Sequence, residues 1–333
     1  MAIPRRTSSM LGAAPLLVFV VLLVGGCGGE HATTAAGGDG SLARAEQRAT
    51  QKEAEAQRLR EQLQGLRAEQ EEPAAPTADA GGRGDGTILP AAAHASFDAL
   101  AHSLPGEVGI AVSPVGAGQP VESLGSLQSA IAWSTGKVPV AMAAIDAGVG
   151  STQDLRAAIT ASDNAAAMNL WNALGGGSTA AAAADQELRA AGDTTTSIEA
   201  RTLRAGFTPF GQTRWTLTDQ VRFTAGMACL DAGGQVLGLM HETIPAQRWG
   251  LGSAGVPAEL KGGWGPGSDP GADGGYLDRQ MGVMTIHGRP LAVTLAARPS
   301  DGTHESGTGM LTRLAGWVAA NAAVRGLPHV AHC

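Results

Sequence analysis

Residues 153–176 read QDLRAAITASDNAAAMNLWNALGG. At the centre stands Ser162-Asp163-Asn164. A helical run from about Thr152 precedes it, and a second over Ala165–Leu174 follows and stops at Leu174-Gly175-Gly176, where glycine ends a helix. A hydroxyl, a carboxylate and an amide thus sit together at a break between two helices. What they serve depends on partners elsewhere in the chain.

Upstream, Ala132–Ile145 reads AWSTGKVPVAMAAI and sets Ser134 three residues before Lys137. On a helix that spacing puts both side chains on one face. An ammonium there lowers the cost of a serine alkoxide, and a lysine whose pKa is depressed by burial can take the proton itself. Val138, Val140, Met142 and Ile145 follow at once, so a buried helix is expected, where an unpaired lysine is costly. Taken alone, the pair reads as a capped helix start with a lysine reaching toward solvent. A phosphate loop is excluded, because Val138 follows the lysine where Ser or Thr is needed and no spaced glycine precedes. Downstream, Lys261-Gly262-Gly263-Trp264 stands just before two short apolar runs.

In this order, Ser-x-x-Lys, Ser-Asp-Asn and Lys-Gly-Gly resemble the motif set of the penicillin-recognising serine enzymes. From about Ser96 to Val324 the chain resembles the class A β-lactamase family, in particular its exported lipoprotein-type serine hydrolases. The resemblance implies Ser134 as the acylated nucleophile and Lys137 as its activating neighbour. It implies Ser162 as the proton relay to the leaving nitrogen, and Asn164 as the group that holds Lys137 and the substrate amide. Asp163 would order the loop, and Lys261 would attract a substrate carboxylate and polarise Ser162. Backbone at Ser134, Gly263 and Trp264 would face the substrate and form the oxyanion hole. The implied acyl donor is a β-lactam or a peptidoglycan peptide, with no cofactor and no metal.

The chain departs from the family at three points. Little sequence separates Lys137 from Ser162, so the helical subdomain should be reduced and the site more open. Gly262 replaces the usual hydroxyl residue, removing a charge-assisted hydrogen bond to a carboxylate worth roughly 1.5–3 kcal/mol. Spacing after Ser162 offers Glu199 as the deacylating base, whereas the local pattern around Thr196-Ser197-Ile198-Glu199 puts Arg201 or Thr202 in its place. Without such a base an acyl-enzyme forms but is released slowly. The rival reading is a membrane-tethered protein that keeps the fold and binds cell-wall material or a partner without catalysis.

The organisation around the domain points to export. Arg5-Arg6, an apolar run from Leu11 to Val24 and Gly25-Gly26-Cys27 resemble a lipoprotein signal ending at Cys27, the expected lipidation site; a plain secretory signal is the alternative. Residues 1–27 are then the signal, 28–89 a spacer and 90–333 the β-lactamase-like domain. Within the spacer, residues 41–72 carry a heptad pattern with alanine at several core positions; they read as a single solvated spacer helix, with weak self-association as the alternative. Residues 73–89 read as a flexible linker, in which Arg83-Gly84-Asp85 is a chance adhesion-like match.

The expected location is extracytoplasmic, on the bacterial cell membrane. There Cys229 and Cys333 are expected to pair, the alternative being two free thiols. With 23 Lys+Arg against 30 Asp+Glu and no basic stripe, nucleic-acid binding is excluded. The eight histidines show no metal-ligand spacing, and Asp269 and Asp273 fit a hairpin turn better than a calcium loop.

Inside the domain, Ser96–Ser103 predicts a short helix, and Val108–Ser113 with a run near Val121 predicts a hairpin. Helices are expected from about Thr152 and over 165–174, 180–191, 217–230, 236–240 and 309–325, with strands over 279–286 and 291–297. Arg214-Trp215 and Asp219 read as a helix start. Strands early and late with helices between predict an α/β (α+β) fold whose antiparallel sheet is assembled from both ends of the domain.

Overall fold

The computed structural model describes residues 87–267 and 275–326. The signal and heptad segments, linker residues 73–86, Asp269, Asp273 and Cys333 lie outside them, whereas Ile88 and Leu89, read as the linker's end, are buried in the domain. In chain order the first elements are α1 (Ala91–Ser103), β1 (Gly106–Pro114), β2 (Glu122–Gly125) and β3 (Ser129–Ile131). Then come α2 (Lys137–Asp146), α3 (Thr152–Thr160), α4 (Asn164–Ala173) and α5 (Gly177–Ala190). β4 (Arg214–Thr216), α6 (Leu217–Met227) and α7 (Asp231–His241) follow. The chain ends in β5 (Ala258–Pro266), β6 (Tyr276–Ile286), β7 (Arg289–Pro299) and α8 (His304–Asn321).

The apolar runs from the two ends of the domain meet in one antiparallel sheet of order β2-β1-β7-β6-β5. β1 pairs with β7 at Ile110↔Leu295, and β6 joins β7 through a two-residue turn. His287 (φ 49°) and Gly288 (φ 75°) form that turn in the left-handed conformation a tight hairpin demands. Seven successive residues of β7 are buried, because α6 packs on one face of the sheet and α8 on the other. A sheet covered on both faces loses the alternation of a half-exposed strand. α1 joins the α8 side, where Phe97 meets Trp317 edge to face at 5.1 Å.

The helical half is built round α2. Every residue from Lys137 to Ala144 is buried, since α3, α4, α5 and α7 surround the helix. A helix apolar on all sides has no solvent face, so Lys137 in its first turn cannot reach water and is 1% exposed. Only α3 lies between α2 and Ser162, as the short spacing implied.

The structure adds one strand and corrects local expectations. β5 (AELKGGWGP) carries too many glycines to look like a strand, yet its backbone pairs with β6 at Gly262↔Gln280. Arg214–Thr216 is strand, pairing with Ser129–Ile131, and the helix begins after it, where Thr216 accepts the Asp219 amide as an N-cap. α8 starts at His304 rather than Gly309, capped by Thr303. Cys229 is disulfide-bonded, and both other cysteines of the chain lie outside the described residues.

Candidate active site

Ser134 sits in a 3-10 turn, Trp133–Gly136, that leads straight into α2. The turn is held from beneath by buried polar groups. Thr135 Oγ1 donates to Ala132 O at 2.6 Å and accepts from Gln220 Nε2 at 2.9 Å. Arg279 of β6, fully buried, donates to Ala130 O and Ile131 O, each at 3.0 Å, and to Gln220 Oε1 at 2.5 Å. Burial lowers its pKa to about 9, so it remains a cation at neutral pH. Sequence reasoning placed Arg279 only as the start of an apolar strand; a charge opening such a run was the available signal that something had to be anchored.

Lys137 is the hub of the cluster. Its Nζ lies 2.9 Å from Ser134 Oγ, 2.6 Å from Ser162 O, 3.2 Å from Ser162 Oγ and 2.7 Å from Asn164 Oδ1. Burial lowers its pKa from 10.5 to about 7, against the opposing charge of Asp163. A neutral amine has two protons and one lone pair. Two of the acceptors, Ser162 O and Asn164 Oδ1, can take the protons and leave the lone pair for the Ser134 hydroxyl.

The corner between α3 and α4 supplies the other side. Ser162 has φ 60°, a left-handed conformation that costs a non-glycine residue roughly 1–3 kcal/mol. Asp163 fixes it: its amide donates to Ala157 O at 3.1 Å and its carboxylate caps α4 by accepting the Ala166 amide at 2.8 Å. Asn164 is the first residue of α4.

From β5, Lys261 Nζ donates to Ser162 Oγ at 2.8 Å and to Gly262 O at 2.9 Å. Its pKa is pushed well down by burial and then by the charge of Lys137. Ser134, Lys137, Ser162 and Lys261 thus form one continuous hydrogen-bonded chain. Gly263 shows how closely β5 approaches the turn: a Cβ there would lie 2.8 Å from Ala132 O, 2.9 Å from the Ser134 amide nitrogen and 3.0 Å from that of Thr135. Only glycine lets the Gly263–Trp264 backbone share a wall with the Ser134 amide. A pocket of about 320 Å³ opens beside Asn164, lined by Ala165, Met168, Thr202, Phe207 and Pro209.

Glu199 is not drawn into this network. Both carboxylate oxygens are taken by Arg201, from its backbone amide at 2.9 Å, Nε at 3.0 Å and Nη2 at 3.2 Å. These bonds hold its carboxyl below the usual range. Among the described residues no hydrogen bond links it to Ser134, Lys137, Ser162 or Asn164.

No family model matches the chain, and no curated protein does so by sequence. Solved structures match by shape. A β-lactamase from Chitinophaga pinensis is 17% identical with a TM-score of 0.55, the match covering 69% of this chain and 98% of that one. The chromosome-encoded β-lactamase of Vibrio parahaemolyticus is 14% identical with a TM-score of 0.51, covering 68% and 98%. An ancestral class A β-lactamase is 20% identical with a TM-score of 0.50, covering 68% and 99%. The likeness is one of fold: mixed helices and an antiparallel sheet arranged as in the class A β-lactamases.

Proposed function

We propose that this chain, whose fold is that of the class A β-lactamases, is an exported serine hydrolase that acylates Ser134. One observation carries the reading: a buried lysine with a pKa near 7 stands 2.9 Å from a serine hydroxyl. A group with that pKa is half neutral at physiological pH, where a general base works best.

Ser134 Oγ attacks the carbonyl carbon of the acyl donor while its proton passes to the Lys137 lone pair. The Ser134 and Trp264 amides take the charge that grows on the carbonyl oxygen. The bond to the leaving group then breaks, and Ser162 Oγ gives that group its proton, replenished from Lys137 or Lys261. Asn164 keeps Lys137 aimed. Release needs a base for water, and the Arg201 clasp on Glu199 favours an acyl-enzyme that persists. The donors proposed are β-lactams and peptidoglycan-type peptides.

A neutral fluorophosphonate followed by intact mass tests the reading. The expected result is one adduct on the wild-type chain and none on Ser134→Ala. Labelling that survives Ser134→Ala, or none on either chain, rejects it. A penicillin run the same way tests the β-lactam part, with a slowly lost adduct expected; absence of any adduct removes β-lactams from the substrate class.

Anchoring is proposed through lipid on Cys27, placing the domain outside the cell membrane, with the spacer pairing weakly at most. With Cys27 lipidated, the bonded Cys229 is left with Cys333 as its partner. Peptide mapping without reductant should recover Cys229 joined to Cys333; a Cys229–Cys27 peptide would reject both proposals.

A further inference from the structure

Acyl transfer at Ser134 uses one face of β5. Side chains alternate across a strand, so Lys261 and Gly263 point to the nucleophile turn while Gly262 and Trp264 point the other way. The space a side chain would fill at Gly262 is occupied. A Cβ there would lie 2.9 Å from Cη2 and 3.0 Å from Cζ2 of Trp249, and 3.6 Å from Cζ3 of Trp264. Trp249 meets Trp264 edge to face at 5.9 Å and His304 at 5.7 Å. Trp264 stacks on His304 at 5.3 Å with 27° between the rings, and Tyr276 packs 5.6 Å from the same imidazole. All four rings are half-buried, so the cluster is open to solvent.

The cluster carries little positive charge. His304 Nδ1 is bonded to Asp278 Oδ1 at 2.5 Å, and Asp278 is fully buried. Burial raises the Asp278 pKa to about 8 and lowers that of His304, so both shifts favour an uncharged pair. Lys261 directs Nζ at Ser162 Oγ and Gly262 O. An anion placed beside Gly262 would lose its water and meet indole in place of a hydroxyl donor. A flat uncharged ring placed there would find offset or edge-to-face partners.

We propose that Trp249, Trp264 and His304 form a ring-binding subsite for the leaving group, selecting an uncharged aromatic group where a carboxylate would otherwise be held. This rests on acyl transfer at Ser134 and, among acyl donors, favours those whose leaving group carries no carboxylate. With an aryl ester the Ser134 Oγ–carbonyl bond forms and the carbonyl–aryloxide bond breaks. The serine proton leaves through Lys137 and Ser162 to the aryloxide, and no other reactant is needed. Lys261 Nζ donates both to Ser162 Oγ of that relay and to Gly262 O, so the relay and the glycine at the centre of the rings are joined through adjoining residues of β5.

Phenyl acetate and 4-acetoxybenzoate are one ester without and with a carboxylate on the ring. Acylation of the full chain by each is followed by intact mass and normalised to hydrolysis by hydroxide. Binding of each to the full Ser134→Ala chain is followed by indole fluorescence. Phenyl acetate is expected to be favoured by about tenfold or more in both measurements, the scale of one charge-assisted hydrogen bond. Gly262→Ser combined with Trp249→Ala restores the hydroxyl and clears the indole, and should cut that preference by about tenfold. Equal or reversed preference in the wild type, or a ratio unmoved in the double variant, overturns the subsite. If the fluorophosphonate fails to label Ser134, acyl transfer falls, and the Ser134→Ala binding ratio still decides the subsite.

Discussion

The two faces of β5 are built from opposite materials. On one, two buried lysines and two serines form a continuous chain of polar atoms. On the other, two indoles, a phenol ring and an imidazole pack round a glycine. On the proposed reading, the alternation of a single strand separates proton transfer from recognition. Changes on the polar face should slow every acyl donor alike, and changes on the aromatic face should alter which donor is preferred.

The largest expected effect is on the polar face. Lys137→Met should lower acylation by about 10²–10⁴-fold for phenyl acetate and 4-acetoxybenzoate equally, the range for loss of a general base. A loss under tenfold, or one confined to a single ester, breaks the division. Gly263→Ala comes next. Its methyl group would push β5 from the Ser134 amide, and loss of one oxyanion donor costs about 10²–10³-fold. Thermal melting should still show a folded chain, since overpacking typically costs about 1–3 kcal/mol.

The pH profile sharpens the same face. Lys137 must be neutral to accept a proton, so acylation should fall about tenfold per unit as pH drops below its pKa of about 7, and level off above it. A profile flat from pH 5 to 8 would remove Lys137 as the base.

On the aromatic face the expected pH effect is on stability. The unfolded Asp278 ionises near 3.9, whereas the folded group holds its proton to about 8. Between those values the unfolded state binds fewer protons, so stability falls as pH rises, by at most ~1.4 kcal/mol per unit. His304, pushed down by burial, adds a slope of opposite sign below its usual value of about 6.5. Denaturant titrations of Asp278→Asn should show the downward slope removed. The smallest effect is expected at Glu199, whose Arg201 partner is 78% exposed. Glu199→Gln should change acyl-enzyme release by no more than about threefold, since exposed ion pairs contribute little. A hundredfold slowing would restore Glu199 as the deacylating base.

Much of the polar cluster was legible in the chain. Ser134, Lys137, Ser162, Asn164 and Lys261 were picked out by motif order, and the structure brings all five together. Local chemistry explains this: a serine and a lysine in the first turn before an apolar helix, and an Asx cap after a helix break, are short-range features. β5 was not legible as a strand, because its glycines serve close approach to the turn rather than strand propensity. Nor was the fate of Glu199, which turned on whether Arg201 or the serine claimed its carboxylate.

The sequence by itself determined that a buried α2 would carry a lysine beside a serine, and that strands from both ends would have to meet. Tertiary structure alone decided the pKa of that lysine, the Arg279 brace beneath the turn and the ring cluster at Gly262. Each depends on groups far apart in the chain: Ser162 is 25 residues from Lys137 and 99 from Lys261. Desolvation and ring packing act through space, and no local pattern records which distant surfaces will exclude water from a given atom.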